Sequence, residues 1–300
     1  MRTNIMNLLN AQSSYSKSNE GLPRHLSDDV FEQFGALIHN HTGIKLTPSK
    51  RTHIEAKLRK RADILKFDSV SEYGKMVFER GGLETELDLL INLATTNKTD
   101  FFREPSHFHL LEKTIIPALL DTRPAKLKAR LKIWSAASSN GAEAYTIAMV
   151  LTEMAARGPH FDFSVLGTDI SSEMIIQARK AVYAKGMIKT IPEVLQHRYF
   201  MHARNKNIPP MVRVIPELRK NVRFSRVNLI SKILPVDKDA DVIFLRNVLI
   251  YFDPQNQKKV VRRLAGHLRP SGYLILGHTE SIIGNDLGFE QVGTGVFRVK

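Results

Sequence analysis

One carboxylate lies in a turn of small residues, at the point where an apolar, β-like segment passes into an apolar helix. Within residues 135–145 (SAASSNGAEAY), every residue is small except Glu143 and Tyr145. Small side chains let a ligand approach the backbone closely, and the start of the following helix presents free N–H groups. The Gly-x-Gly-x-x-Gly spacing of dinucleotide sites is absent. A carboxylate in this position would repel a phosphate and attract a cationic amine.

Glu143 has a second possible role, because Asn140 precedes it by three residues. This spacing fits a capping box, in which the two side chains satisfy free N–H groups at the start of the helix and contribute about 1 kcal/mol. The sequence of the turn alone leaves both roles open.

Three further predicted strands also end in acidic or amide side chains. Asp169 follows the second strand, where a carboxylate can bind both hydroxyls of a ribose; capping of the next helix is the alternative. Asn228 and Asn247 follow the third and fourth strands, and an amide can read an adenine edge, fix a carboxylate or form a turn. Ligands bind beyond the carboxyl ends of parallel strands, so we expect these side chains to share one site. A cationic nucleoside without phosphate fits this site, which indicates S-adenosyl-L-methionine.

The elements that would position the site alternate between strands and helices from about residue 130. The β-rich runs are 131–134, 163–169, 222–228, 241–247 and 273–278. This alternation predicts an α/β fold with a doubly wound parallel sheet. The Gly-Thr-Gly turn at 293–295 predicts a C-terminal antiparallel hairpin.

The other segments divide the chain further. We expect a disordered tail at 1–22, which is polar and lacks a signal-peptide core, and an all-helical domain at 23–100, where apolar positions recur at helical spacing. A linker with an interdomain motif is expected at 101–128, followed by the α/β domain at 129–300. Within that domain, two adjacent prolines and short β-rich pieces predict a small inserted β-subdomain at about 185–221.

The net charge of +14 is unevenly distributed along the chain. Residues 179–226 carry 12 Lys and Arg against two Glu, whereas residues 1–100 carry 14 against 13 acidic residues. The basic excess indicates contact with an acidic protein, nucleic acid or lipid headgroups, or only a well-solvated surface. The absence of cysteine excludes disulfides and thiolate metal sites, and no apolar run approaches the ~18 residues of a membrane span. We expect a cytoplasmic protein without membrane insertion.

Six motifs stand in a characteristic order along the chain. They are 95–108 (TTNKTDFFREPSHF), 134–149 (WSAASSNGAEAYTIAM), 166–171 (LGTDIS), 198–201 (RYFM), 226–230 (RVNLI) and 244–253 (FLRNVLIYFD). Together they resemble the chemotaxis receptor methyltransferases, the CheR family, over roughly residues 24–300. The resemblance implies a Rossmann-like class I methyltransferase that converts chemoreceptor glutamates to methyl esters and S-adenosyl-L-methionine to S-adenosyl-L-homocysteine.

The resemblance also assigns residues to the cofactor. These are Asn97, Thr99, Arg103, Glu143, Asp169, Asn228, Leu229, Leu245, Arg246 and Asn247. The family's acid-acid-Pro sequence after the turn glycine is Ala142-Glu143-Ala144 here, so the acid assigned to the cofactor is retained. Relatives that bind a receptor's C-terminal pentapeptide carry an arginine and a Gly-x-Gly loop after Tyr-Phe-Met. Residues 202–205 (HARN) lack those glycines, which argues against a pentapeptide tether.

Methyl transfer to glutamate requires alignment rather than a base, because a carboxyl with a pKa near ~4.3 is already ionised at neutral pH. We predict Arg103 and Tyr251 as the catalytic residues that orient the carboxylate, since arginine offers paired donors that match it. The alternatives are a surface arginine before Pro105 and a core aromatic beside Phe252. No metal site is expected.

A basic helix face in the N-terminal domain gives a separate prediction. The apolar stripe of residues 51–65 leaves Lys57, Lys60 and Arg61 on a neighbouring face. In view of the resemblance, these three residues are predicted to dock on the acidic cytoplasmic helical bundle of a chemoreceptor. A solvated charged face is the alternative.

Three other functions compete with this interpretation. A nucleic-acid methyltransferase would explain the basic segment, but Tyr199 and Phe200 are the only close pair of aromatic residues there to stack bases, so no nucleic-acid partner is expected. A non-catalytic S-adenosyl-L-methionine-binding regulator is disfavoured by Arg103 and Tyr251. A nicotinamide oxidoreductase is disfavoured by Glu143 and by the missing glycine pattern.

Overall fold

The computed structural model describes residues 26–123, 130–158, 160–202 and 210–299. The helices are α1 (Asp28–Thr42), α2 (Arg51–Ile64), α3 (Val70–Glu79), α4 (Leu83–Ala94), α5 (Pro105–Leu110), α6 (Ile116–Asp121), α7 (Ala142–Arg157), α8 (Ser172–Lys180), α9 (Glu193–Tyr199), α10 (Pro216–Arg219), α11 (Pro254–Ala265) and α12 (Ser281–Asp286). The strands are β1 (Arg130–Ala136), β2 (Asp162–Asp169), β3 (Val182–Ala184), β4 (Phe200–His202), β5 (Met211–Val214), β6 (Val222–Arg226), β7 (Ala240–Leu245), β8 (Leu268–Leu276), β9 (Glu290–Gly293) and β10 (Val296–Arg298). The predicted tail at 1–22 lies outside the described residues.

The apolar faces of helices α1–α4 pack against one another and join the core on one side of the main sheet. Ser27 and Ser69 cap α1 and α3 by accepting hydrogen bonds from main-chain N–H groups three residues later. The stripe of α2 is buried as its spacing predicts, at Ile54, Leu58 and Ala62. This unit is the all-helical N-terminal part that the fold-class prediction described.

The main sheet has seven strands in the order β6-β2-β1-β7-β8-β10-β9. The pairs from β6 to β8 are parallel, and β10 pairs antiparallel with both β8 and β9. From β1, the chain builds one side of the sheet through β2 and β6 and then returns to build the other through β7 and β8. The doubly wound sheet and its C-terminal hairpin are therefore confirmed.

Side chains of the central strands alternate between two apolar cores, as the two-residue period of a strand requires. Ile133 and Phe244 face a core shared with α5–α8, whereas Trp134 and Ile243 face a core shared with α11 and the N-terminal helices. All six residues of β7 are buried. Burial on both faces explains why these strands read as near-continuous apolar runs.

The predicted insert forms a second, three-stranded antiparallel sheet in the order β3-β5-β4. Its strands run from Val182 to Val214, so the small sheet begins just before the predicted bound. The sequence difference that argues against a pentapeptide tether falls at residues 202–205, of which 203–205 lie outside the described residues. The tether prediction stays untested there.

The segment 101–128, expected as a linker, is largely a packed helix. It is helical from Pro105 to Asp121, with one π-type turn at Leu111–Ile115 just before Pro117. Proline cannot donate to the helix ladder, which accounts for an irregular turn at this place. Leu111, Ile115 and Ile116 are fully buried, so this segment belongs to the core of the α/β domain.

The helical unit is joined to the sheet at the edge where β6 and β7 end. A β-bridge connects Ile44 with Phe252, and the Lys45 N–H donates to the Tyr251 carbonyl at 3.0 Å. In the part of the chain that the structure describes, no helix combines the length and apolar character that crossing a bilayer requires.

Candidate active site

A cleft opens at the carboxyl ends of β1, β2, β6 and β7, on both sides of the point where the strand order reverses. It encloses about 920 Å³ including its open mouth. Its lining includes nearly all predicted site residues: Asn97, Thr99, Arg103, Glu143, Asp169, Asn228, Leu229, Arg246, Asn247 and Tyr251. Leu245 is the exception, because its side chain is fully buried in the sheet core at the end of β7. Thr42 and Ile44 of the helical unit complete one wall.

Glu143 faces the cleft and does not cap its helix. One carboxylate oxygen accepts a hydrogen bond from the Ser135 hydroxyl at 2.7 Å, and the other accepts from the Arg246 guanidinium at 2.9 Å. Asn140 instead accepts from the Ala142 N–H at 3.2 Å. The capping box that the spacing allowed is therefore not formed, and the carboxylate is held at the strand end.

Arg246 links two carboxylates at the base of the cleft. Its side chain is only 2% exposed and pairs with Glu143 at 2.9 Å and with Glu104 at 3.2 Å. It also donates to the main-chain carbonyl of Arg103, and its guanidinium lies 5.4 Å from the centre of the Phe108 ring. Arg246 thus fixes the backbone beside Arg103 while balancing the charge of Glu143.

Glu104 is a residue of this network that the sequence analysis missed. Its carboxylate accepts a hydrogen bond from the Asn247 amide at 2.9 Å. Burial raises the pKa of Glu104, but the hydrogen bond from Asn247 and the charge of Arg246 outweigh that effect and hold the pKa below its usual value. Its position next to Arg103 in the sequence was the available signal.

Asp169, at the end of β2, holds the neighbouring turn after β1 in place. Its two oxygens accept hydrogen bonds from the N–H groups of Ser139, at 2.8 Å, and Ser171, at 2.9 Å. Burial raises the pKa of Asp169, and these backbone donors counteract the rise. Ser171 caps α8 through Met174, so a helix cap is not the main role of Asp169.

The two strand-end asparagines are used differently from each other. The Asn228 amide donates to the His41 carbonyl at 2.6 Å and accepts from the Ile230 N–H at 3.2 Å, so it joins the sheet to the helical unit. Asn247 adopts a left-handed conformation with φ 56° and donates to Glu104. Both line the cleft, but their amide groups already have partners within the protein.

A buried carboxylate shapes the segment that carries Tyr251. Glu280 accepts hydrogen bonds from the N–H groups of Asn247 at 2.8 Å, Leu249 at 2.7 Å and Gly277 at 3.0 Å. These three donors satisfy the charge that burial would otherwise penalise. Glu280 thereby sets the path of the 3₁₀ turn Leu249–Tyr251.

Arg103 and Tyr251 both line the cleft, as predicted for the catalytic pair. Arg103 is partly exposed and donates to the Lys98 carbonyl at 3.1 Å, which leaves other guanidinium donors free. The ammonium of Lys50 lies 4.3 Å from the centre of the Tyr251 ring. Burial, followed by the charge of Lys57, lowers the pKa of Lys50. Sequence analysis missed Lys50 because it lies 201 residues before Tyr251 in the sequence, and only the fold brings the two together.

Backbone strain concentrates around the cleft. Five non-glycine residues at its edges have left-handed conformations with φ between 50° and 57°: Phe102, Glu104, Ala137, Ser139 and Asn247. Such conformations cost about 1–2 kcal/mol each and persist only where surrounding contacts impose them. Two of the polar atoms at the cleft, Ser138 Oγ and Arg246 Nε, are buried without a hydrogen-bond partner. Strain together with unsatisfied polar atoms is typical of a binding site.

Comparison with known protein families agrees with this geometry. Residues 29–95 match the all-alpha domain of CheR methyltransferases, and residues 97–297 match their S-adenosylmethionine-binding domain. The chain belongs to the CheR methyltransferase family. Its cofactor is therefore S-adenosyl-L-methionine, and the protein is a methyltransferase.

Relatives from several bacteria resemble the chain over most of its length. A chemotaxis protein methyltransferase of Salmonella typhimurium is 36% identical and covers 85% of this chain and 85% of its own. Chemotaxis protein methyltransferase 2 of Pseudomonas aeruginosa is 34% identical over 91% of this chain and 94% of its own. A chemotaxis protein methyltransferase of Borreliella burgdorferi is 32% identical over 87% and 91%.

The cleft of this CheR protein has the chemistry that S-adenosyl-L-methionine needs. Glu143 supplies negative charge where the methionine ammonium would lie, and Asp169 retains acceptor capacity toward the ribose hydroxyls because a carboxylate has about four lone-pair sites. The unpartnered hydroxyl of Ser138, in the turn after β1, also lies at the cleft. The residues present therefore fit the cofactor, and their individual contacts with it remain predictions.

The predicted docking face on α2 is smaller than the sequence indicated. Lys60 is exposed, whereas Lys57 donates to the Leu93 carbonyl at 2.8 Å at the end of α4. Arg61 forms a two-bonded pair with the buried carboxylate of Glu86, at 2.8 and 2.6 Å. Arg61 is part of the helical unit's own framework, so we remove it from the docking prediction. A helical projection could not show that its partner comes from α4.

Proposed function

We propose that this protein transfers methyl groups from S-adenosyl-L-methionine to glutamate carboxylates of chemoreceptors, forming glutamate methyl esters. The names of its relatives, all chemotaxis protein methyltransferases, support a receptor of the chemotaxis pathway as the substrate. The choice of a carboxylate as the acceptor is supported by the side chains at the cleft.

The observation that supports this choice is that the cleft combines acids suited to the cofactor with Arg103 and Tyr251, which can orient a carboxylate. Among the described residues that line it, none is a histidine. An amine or alcohol acceptor would need a group to remove its proton, whereas a glutamate is already ionised at neutral pH. Arg103 provides the charge and the paired donors that a carboxylate matches.

In the proposed mechanism the protein aligns and desolvates the acceptor. When bound, the cofactor supplies an electrophilic methyl group on a sulfonium. Arg103 and the Tyr251 hydroxyl orient the glutamate so that one oxygen remains free to attack in line. Ile44, Phe108 and Phe252 line the cleft with apolar surface and limit water. Holding the reacting atoms about 3–3.5 Å apart in this orientation supplies several kcal/mol of the barrier reduction.

Receptor docking is proposed to use the exposed part of α2. Lys60 and His53 are exposed on this helix, and Lys57 is partly exposed beside them. This face is cationic and suits the acidic cytoplasmic helical bundle of a receptor. We propose no pentapeptide tether and no nucleic-acid partner.

The test is a methyl-transfer assay with tritiated S-adenosyl-L-methionine and cytoplasmic receptor fragments. A glutamate methyl ester is expected to release its label as volatile methanol in mild base. A matched fragment with the accepting glutamates changed to glutamine should take up no label. Base-stable label on the receptor would contradict carboxyl methylation, and label on nucleic acid would replace the proposed substrate class.

A further inference from the structure

A cluster of two histidines and one glutamate lies behind the cleft, at the junction of α5 with the loop after β8. The carboxylate of Glu104 and the ring nitrogens of His107 and His278 lie within 4.8 Å of one another. Glu104 Oε2 is 3.5 Å from His107 Nδ1 and 3.9 Å from His278 Nε2. The proposed methyl transfer uses neither histidine.

The orientation of His107 leaves a lone pair pointing into this cluster. The residue is 0% exposed, and its Nε2 lies 3.0 Å from the Thr294 carbonyl. A carbonyl can only accept, so Nε2 carries the proton and Nδ1 of the neutral ring carries the lone pair. Nδ1 is buried without a hydrogen-bond partner.

Two acceptors therefore face each other, the Nδ1 lone pair and the Glu104 carboxylate. A buried acceptor left unpaired is costly, typically about 1–3 kcal/mol. Glu104 Oε2 already accepts from the His278 main-chain N–H at 3.3 Å and pairs with Arg246 at 3.2 Å. The unpaired acceptor is therefore Nδ1, and a cation between the two groups would satisfy it. The ring of His278 contributes a third ligand atom from the exposed side. Its side chain is 42% exposed, which gives an ion a path of entry.

We propose that Glu104, His107 and His278 bind a divalent first-row transition metal, with Zn²⁺ as the best fit. Two imidazoles and a carboxylate are a common ligand set for this ion. The outer contacts also match a metal site, because ligating histidines usually donate their other N–H to a carbonyl, as His107 does to Thr294. The second oxygen of Glu104 is fixed by Asn247 at 2.9 Å.

Closing the site requires a small movement of the His278 loop. Metal–ligand bonds of about 2.0–2.1 Å place ligand atoms roughly 3.3 Å apart in a tetrahedron, closer than the present 3.5 and 3.9 Å. His278 can move because it is partly exposed, and the exposed Ser106 hydroxyl, 3.2 Å from its Nε2, can be released to water. Arg246, 3.2 Å from Glu104 Oε2, opposes a second cation, while Glu143 offsets part of its charge.

The proposed ion would act as a clamp and would not take part in methyl transfer. It would tie the start of α5, directly after Arg103, to the loop that follows β8. Metal binding and cofactor binding are therefore separately measurable. Failure of this proposal leaves the proposed function untouched, and the converse also holds.

The experiment is calorimetric titration of the full, tag-free protein with Zn²⁺, together with Co²⁺ absorption as a report on ligand geometry. We expect one equivalent to bind, and His278→Ala to weaken this binding by at least about 10–100-fold. His197→Ala is the matched control, since it removes an exposed histidine 3.5 Å from Glu193 on α9. This control should bind like the wild type.

Three results would overturn the proposal. They are no saturable Zn²⁺ binding below millimolar concentration, equal binding by His278→Ala and wild type, and equal weakening by His197→Ala. Because His278 is partly exposed, its loss should leave the fold intact, and S-adenosyl-L-methionine binding by the same variant verifies this. A rise in melting temperature with Zn²⁺ in wild type but not in His278→Ala is a second expected readout.

Discussion

At the scale of single residues, Arg246 determines how the carboxylate of the turn 135–145 is held. Glu143 is not an isolated charge in the cleft, because it is paired with the buried guanidinium of Arg246 at 2.9 Å. That pair orients the carboxylate, and it leaves lone pairs for an ammonium. The turn needs small residues because both the ligand and Arg246 must approach the same acid.

Replacing Glu143 by glutamine should weaken S-adenosyl-L-methionine binding by about 10–100-fold, or roughly 1.4–2.8 kcal/mol. The substitution keeps the shape of the side chain but removes the charge that is predicted to face the ammonium. Isothermal titration calorimetry gives the affinity directly. Glu112→Gln, on the surface beside Arg157, is the control. Unchanged affinity in Glu143→Gln would mean that the ammonium is held elsewhere.

Arg103→Lys should lower kcat by about 100-fold while cofactor affinity stays within a few-fold. Lysine preserves the charge but lacks the planar pair of donors that aligns a carboxylate, and misalignment of this kind costs about two orders of magnitude. Single-turnover methylation of a receptor fragment measures the chemical step. Arg157→Lys, an exposed arginine on α7, should behave like the wild type. Near-normal turnover of Arg103→Lys would show that Arg103 does not orient the acceptor.

The residues at the strand ends could be predicted because fold topology alone brings them together. Glu143, Asp169, Asn228 and Asn247 line one cleft as expected. What sequence spacing could not show was which side chains were already hydrogen-bonded within the protein, as the Asn228 amide is to the helical unit. Sequence spacing also could not show that the Leu245 side chain points into the core, because the last residue of a strand still follows the alternation of the strand.

At the scale of elements, the helical unit is held by one buried polar network between α2, α3 and α4. Glu86 is 5% exposed and accepts hydrogen bonds from Arg61 and from the Tyr73 hydroxyl at 2.8 Å. Breaking such a pair leaves an uncompensated charge, which costs more than the intact pair contributes. This network, rather than receptor docking, accounts for Arg61.

Glu86→Gln should destabilise the protein by about 3–5 kcal/mol at pH 7. The hydrogen bond from Arg61 lowers the pKa of Glu86 in the folded protein. The stabilisation from this pair is therefore fully present above the pKa of the unfolded chain, near ~4.3, and it is lost as the pH falls through the lower folded pKa. Urea unfolding at pH 7 and below pH 4 should show the gap between variant and wild type narrowing in acid. Glu84→Gln, exposed on the same helix, is the control. A gap that does not change with pH would refute the charged pair.

Elements with regular apolar periods were predictable, and the irregular one was not. Strands β1, β2, β6 and β7 lie within two residues of their predicted bounds, because buried parallel strands leave a continuous apolar signal. Strand β8 begins at Leu268, five residues before the predicted run at 273–278. Residues 105–121 were expected as part of a linker, and Pro117 lies within them. In the structure a π-type turn, Leu111–Ile115, precedes that proline, and the helix continues through it as α6.

For the whole molecule, charge should govern the encounter with the receptor. Lys60→Glu should reduce the association rate with a receptor fragment several-fold, because it reverses one of the charges that attract the receptor. In the wild type, raising salt from about 50 to 150 mM should also reduce that rate, because salt screens exposed charges over roughly 10 Å. Surface plasmon resonance at several salt concentrations measures both effects. Lys113→Glu, exposed on the π-type turn, should have little effect. A rate independent of salt would exclude electrostatic docking.

The bridge between Ile44 and Phe252 limits how this architecture can be recombined. Thr42 and Ile44 form part of the cleft wall. If the sheet-bearing half were produced without the helical unit, it would lose part of the cofactor's enclosure and expose apolar surface at the seam between the two. Swapping receptor preferences between relatives should therefore exchange surface residues of α2 and leave the seam intact.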